Sequence, residues 1–328
     1  MTQDTEVPPL RLVMMGTGTF ALPTFEKLIA SPHEVVGLVT QPDRVHRGKV
    51  HPHPMKELAE KHNIPVLQPP KVKAAEFLEQ LTALQADLTV VAAYGQILSD
   101  EVIKAPRLGT INLHGSLLPK YRGASPIQYA IWEGEQTTGV SIFQLVPELD
   151  AGPVIAEVRT PIGSQETFGE LHDRLAILAV EPAIEAVEKL ATGTAIPLPQ
   201  NAEALSYAPK IMKHQGQIDW HAPLEKVLNH IRAMQPWPNP FTFLQGDQFK
   251  TQRLVILKAE PATDRQSPES PGQIVLAEPE GLVVATGTEP VRITQLQPAG
   301  KKPMAVDVFL NGNAVTNQMW LGPEVAED

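Results

Sequence analysis

Apolar residues recur along this chain with two periods, and the change from one to the other divides it. Up to residue 194, short and nearly unbroken apolar runs alternate with stretches of helical spacing. Leu12, Val13, Met14 and Met15 form one run, residues 34–40 a second, and residues 88–93 a third in which Thr89 is the one polar interruption. Such runs suit strands buried on both faces of a parallel sheet. The pattern predicts further strands over 64–67, 109–113, 139–145 and 154–159, with helices over 20–30, 55–62, 73–85 and 126–133. Residues 167–191 are amphipathic throughout and predict a long helix with a kink or a break at Pro182, because proline removes a backbone donor and clashes with the preceding turn. Strand and helix in alternation define an α/β domain. Gly16 and Gly18 follow the first strand without a third glycine, so they predict a tight turn rather than a dinucleotide fingerprint.

After residue 194 the period shortens. Residues 195–209 contain Pro197, Pro199 and Pro209 and no regular spacing, which predicts a linker. One helix (223–234) follows, then short strands over 241–244, 253–258, 273–277, 282–285 and 291–296, a spacing that fits a small barrel. Residues 261–271 are rich in Pro, Ser and acid and predict a loop. The organisation expected is therefore a first domain over 1–194, a linker over 195–209 and a second domain over 210–328.

Composition narrows the class. With 328 residues and no cysteine, disulfides and thiolate chemistry are excluded, and a cytoplasmic, monomeric enzyme is expected. No basic, apolar leader precedes residue 10, and no run approaches the roughly 18 apolar residues a membrane span needs, so no membrane association is expected. The net charge of −10 argues against a broadly cationic surface. Residues 206–328 hold 11 Lys and Arg against 13 Asp and Glu, so nucleic acid would have to be met by local patches. His46, His51 and His53 lie close in sequence, but their alternation with proline fits a solvated loop better than a metal site, and no metal is expected.

The chemistry concentrates between residues 112 and 152. Asn112 and His114 are two apart, hence on one face of the strand expected there. Ser116, Leu117, Leu118 and Pro119 follow, then Arg122 and Gly123, and later Leu149, Asp150 and Gly152. An amide can donate to a developing oxyanion, an imidazole can move a proton near neutrality, and a carboxylate can orient that imidazole. This ordered set resembles the folate-dependent formyltransferases. The resemblance implies 10-formyltetrahydrofolate as co-substrate, an amine as acceptor, and Asn112, protonated His114 and Asp150 as the catalytic group. It also implies that Ala92, Tyr94, Gly95, Gln96, Ile97 and residues 116–119 line the folate site.

The second domain is similar to the branch of that family that acts on methionyl-tRNA. Tyr207, Pro209 and Lys210, then Asp219 and Trp220, Trp237 between two prolines, and Lys301, Lys302 and Met304 carry the similarity. It implies a Rossmann-like open parallel sheet followed by an OB-like barrel, and methionyl initiator tRNA as partner. Arg44, Arg47 and Lys49 in the 41–54 loop, with Lys210, Lys301 and Lys302, are the implied tRNA contacts. The chain departs from the family pattern at Ala151 and Pro153, and its loop after Arg44 is short and histidine-rich. Two other readings share these residues: a formyltransferase for a small amine such as a nucleotide sugar or glycinamide ribonucleotide, and a non-catalytic α/β binding module.

Overall fold

The structure, a computed structural model, describes residues 8–46, 49–51, 53–246, 249–262 and 270–324. The chain forms two compact units, each assembled from separate stretches. The first takes in 1–126, 137–161 and 171–209, and the second 127–136, 162–170 and 210–328.

The first unit is built on a seven-stranded sheet. Its strands are β1 (Arg11–Gly16), β2 (Glu34–Val39), β5 (Val66–Leu67), β6 (Leu88–Ala92), β7 (Thr110–His114), β8 (Thr137–Gln144) and β9 (Val154–Pro161), in the spatial order β5-β2-β1-β6-β7-β8-β9. The first five are parallel, whereas β8 runs antiparallel to β7 and β9 antiparallel to β8. The expected open parallel sheet thus carries an antiparallel hairpin at one edge. Strand order reverses between β1 and β6, the position where sheets of this kind place ligands outside the carboxyl ends of the strands. Every residue of β6 is buried, as its unbroken apolar run requires.

Helices α1 (Leu22–Ile29), α2 (Pro54–Lys61) and α3 (Ala75–Ala83) follow the predicted spacing within two residues at most ends. A short α4 (Asp100–Lys104) has no counterpart in the sequence reading, being too brief to show a period. The long helix expected to kink or break is broken into α6 (Phe168–Leu178) and α7 (Val180–Ala191), with Pro182 in the first turn of α7, where a missing donor costs nothing. The 41–54 segment, expected as a plain loop, instead contains a small antiparallel pair, β3 (Arg44–His46) and β4 (Lys49–His51).

The second unit includes most of α5 (Pro126–Glu133), together with α8 (Leu224–Ala233), α9 (Val306–Asn311) and an antiparallel sheet. That sheet comprises β10 (Phe241–Gly246), β11 (Phe249–Pro261), β12 (Ile274–Glu278), β13 (Gly281–Val284), β14 (Val291–Pro298), β15 (Met304–Ala305) and β16 (Trp320–Gly322). The order β12-β13-β14-β11-β10-β16 nearly closes on itself, because an antiparallel bridge from Gln273 to Trp320 joins its two ends. Inside are Ile256, Ile274, Val284, Ile293, Leu296 and Phe309, all essentially inaccessible to solvent. Among the described residues no helix is long and apolar enough to cross a membrane.

Candidate active site

The carboxyl end of β7 carries the site. Asn112 and His114 share a face of this strand; Asn112 is partly exposed and His114 is buried. Although β8 runs away from that end, the loop after it folds back and brings Asp150 to the histidine, with Oδ2 3.7 Å from His114 Nδ1. That distance is too long for a direct hydrogen bond. The same Oδ2 accepts the Gly123 N–H at 2.8 Å. Asp150 itself sits in the left-handed region with φ +47°, a strained conformation for a residue with a side chain, so something must hold it there.

His114 Nε2–H donates to the Tyr121 carbonyl at 2.8 Å, and the ring meets Phe143 edge-on. Burial holds its pKa below the ordinary histidine value of 6.5; Asp150 and the Tyr121 carbonyl oppose this, and Arg122 reinforces it. Taking a cation out of water weighs against the charged ring, and the Asp150 carboxylate 3.7 Å from Nδ1 weighs for it.

Two further residues complete the arrangement. Gln200, from the proline-rich stretch, accepts Arg122 Nε and Nη2 on its Oε1 at 3.1 and 2.7 Å. Its Nε2 donates to the Asp150 and Gly152 carbonyls at 2.8 and 2.7 Å. Neighbouring residues hold the same stretch against the sheet: Leu198 pairs with Val154, and Ser206 accepts Tyr121 N–H on its hydroxyl and Arg122 N–H on its carbonyl. Arg122 was legible as part of a motif, without a role. Gln200 gave no signal at all, because nothing local distinguishes it from any other polar residue between prolines.

Gly152 is demanded by close approach, since a Cβ there would lie 1.7 Å from the Gln144 carbonyl oxygen. Gly123 has φ +123°, and a Cβ on it would meet the Ala208 carbonyl at 2.7 Å.

The segment expected to meet folate leaves the end of β6. Ala93 and Gly95 both have positive φ and turn the chain sharply, so that Ile97 projects with 73% of its surface exposed. A Cβ on Gly95 would meet nothing within 4 Å, so open space lies at that position. Tyr94 is buried, its hydroxyl has no partner, and burial pushes its pKa up to about 12. Gln96 turns inward, accepting Val72 N–H and donating weakly to Gln41. Ser116 is fully buried with its hydroxyl donated to the Lys120 carbonyl. Leu117 is partly exposed, and Leu118 and Pro119 are buried.

Of the cations selected for tRNA, Lys210, Lys301 and Lys302 are exposed on the second unit. Arg44 and Lys49 occupy the β3–β4 pair by their backbones, and Arg47 lies outside the described residues. On the barrel Arg253 stacks over the Phe241 ring at 4.2 Å. His53, of the three histidines noted in sequence, lies against the Pro42 carbonyl at 3.3 Å.

An imidazole, a carboxylate and an amide gathered at a sheet's carboxyl edge are the equipment of an acyl-transfer enzyme. Family comparison agrees with that class. Residues 10–187 match the formyl transferase family and residues 210–314 its C-terminal domain, and the chain belongs to the formyl transferase family. Among curated relatives it is 44% identical to the methionyl-tRNA formyltransferase of Geobacillus thermodenitrificans, across 92% of this chain and 93% of the relative. It is 42% identical to that of Pseudoalteromonas translucida, across 93% and 95%. Among solved structures the fold resembles the sugar 3N-formyltransferase WlaRD, crystallised with dTDP and 5-N-formyl-THF. The TM-score is 0.64 at 16% identity, over 90% of this chain and all of that one. It also resembles Aquifex aeolicus HypX in complex with tetrahydrofolic acid, with a TM-score of 0.59 at 19% identity over 92% of this chain and 47% of that one.

Proposed function

We propose that this chain transfers the formyl group of 10-formyltetrahydrofolate to the α-amine of methionyl initiator tRNA, and that it does so as a cytoplasmic monomer. The observation carrying the choice of acceptor is the extent of the likeness to the methionyl-tRNA enzymes, which spans both units. A small-amine acceptor would leave the exposed Lys210, Lys301 and Lys302 of the second unit without a task.

The folate co-substrate supplies an activated formyl carbon. Exposed Ile97 offers it an apolar surface in the segment that leaves β6, and the Gly95 Cβ position is open. Asn112 would donate its amide N–H to the formyl oxygen as negative charge builds there. His114 Nδ1 and Asp150 Oδ2, 3.7 Å apart, are both acceptors, and an attacking amine can present a hydrogen to each. His114, neutral at rest, would take one amine proton on Nδ1 while Nε2–H stays on the Tyr121 carbonyl. The imidazolium so formed is supported by Asp150 and can return its proton to the departing folate nitrogen. Metal and covalent enzyme chemistry have no part in this scheme, because an amine is already a nucleophile.

The test compares acceptors with purified protein and 10-formyltetrahydrofolate. Formylation of methionyl initiator tRNA is expected, with none of an amino-sugar nucleotide or of glycinamide ribonucleotide. Turnover on either small amine with none on tRNA would overturn the acceptor assignment.

A further inference from the structure

The catalytic carboxylate is placed from both sides by one side chain on a stretch that the sequence presents as a spacer. We infer that Gln200 is a positioning residue that fixes Asp150 against His114, making the 195–209 stretch part of the catalytic apparatus. The inference rests on the formyl-transfer reading above.

A side-chain amide has two lone pairs on oxygen and two hydrogens on nitrogen, and at Gln200 all four are used. Both guanidinium donations from Arg122 fall on Oε1, and both carbonyls of the catalytic loop, Asp150 and Gly152, fall on Nε2. This pattern fixes the orientation of the amide, because a flip would set its oxygen against two carbonyls and its N–H groups against a guanidinium. The two ends of the clamp converge on one carboxylate. At one end Gln200 grips the backbone of Asp150 itself, where φ +47° needs an external constraint. At the other it grips Arg122, whose neighbour Gly123 gives Asp150 Oδ2 a backbone N–H at 2.8 Å. Breaking the amide releases both restraints together, and the carboxylate loses its set distance from the imidazole.

The neighbouring residues are organised so that the amide arrives in place. Leu198 and Val154 exchange two backbone hydrogen bonds of 2.8 Å, anchoring the stretch two residues before Gln200. Ser206 and Ala208 then pair with Tyr121, Arg122 and Ser125 beyond it. A spacer needs none of this.

The experiment is a double-mutant cycle with Gln200→Leu and Asp150→Asn, read by kcat, the Michaelis constants and the pH–rate profile. Gln200→Glu serves as a second variant: it retains the oxygen that Arg122 uses and sets a carboxylate oxygen against the two carbonyls. Each variant is first compared with wild type by thermal unfolding. In the wild-type background both Gln200 variants are expected to lower kcat between about tenfold and about a hundredfold, the effect of misplacing a catalytic group by about 1 Å. The Michaelis constant for the formyl donor should stay within about twofold. In Gln200→Leu the acid limb of the profile should move to lower pH, because Asp150 is a group that raises the pKa of His114. In the Asp150→Asn background Gln200→Leu should add little, as residues acting through one another are not additive. Unchanged kcat in both Gln200 variants would overturn the inference, and so would an equal loss in the Asp150→Asn background. Failure of wild type to formylate methionyl-tRNA would instead overturn the functional reading, and is seen in the same assay before any variant is measured.

Discussion

At the scale of single residues, the site sets a buried histidine 3.7 Å from an acid to which it is not hydrogen-bonded. In the proposed scheme Asp150 acts by its charge on the imidazolium formed during turnover and as a second acceptor for the amine. Asp150→Asn preserves the volume, removes the charge and leaves one acceptor oxygen in place of two. Its kcat should fall by about a hundredfold or more, by comparison with losing one electrostatic group in acyl transfer. Binding of the folate co-substrate should be little changed. Steady-state kinetics with equilibrium folate titration tests this, and near-normal turnover would remove Asp150 from the mechanism. The sequence made Asn112, His114 and Asp150 legible because their types and order are unusual together. It could not show the ionisation state of His114, since burial decides that and burial is a property of the fold. Gln200 was illegible for a related reason: its value lies in four partners that are distant from it along the chain.

At the scale of elements, long runs were readable and short ones were not. The buried run of β6 and the amphipathic spacing of α1 and α8 announce themselves, while α4, β15 and β16 are too short for any period to emerge. The antiparallel course of β8 also escaped notice, because an apolar strand reads the same in either direction. Helix α8 carries a consequence for stability. His230 is buried there with Nε2–H donated to the Gln215 carbonyl at 2.6 Å, its ring against Trp132, and Nδ1 without a partner. Burial lowers its pKa from 6.5 in the folded protein. The unfolded chain therefore takes up the proton first as the pH falls. The stability this group contributes is present above 6.5 and is lost progressively below it, and buried His114 adds to the effect in the same direction. The thermal midpoint should drop between about pH 7.5 and about pH 5.5, and His230→Gln, which keeps a donor but cannot titrate, should make the drop shallower. An unchanged pH dependence in that variant would show that α8 does not carry the titration.

At the scale of the whole molecule, the linear order of the chain and its assembly into units diverge. Residues 127–136 and 162–170 belong by contact to the second unit, although they precede the proline-rich stretch in sequence. Their partners within that unit are specific. Gln128 donates to the Ala233 and Trp237 carbonyls, Trp132 meets the His230 ring, Glu133 pairs with Lys226, and Arg232 donates to the Gly163 and Glu166 carbonyls. Hydrophobic spacing along a chain reports which residues are buried but not which distant segment buries them, so this exchange was invisible in the sequence. It bears directly on truncation. A chain ending at Pro209 keeps the whole candidate site, Gln200 and Ser206 included, yet strips these partners from α5 and from residues 162–170. Each buried polar group left unpaired costs about 1–3 kcal/mol, against a total stability of about 5–15 kcal/mol. Gln128 is the buried side chain that loses its acceptors, and at about 2–4 °C per kcal/mol this lowers the melting midpoint by about 5 °C. Calorimetry on residues 1–209 beside the full chain is expected to show that fall, together with exposed apolar surface that binds a hydrophobic dye. A fragment that melts cooperatively within about 2 °C of the full chain would mean that the first unit stands alone and that α5 needs nothing beyond residue 209.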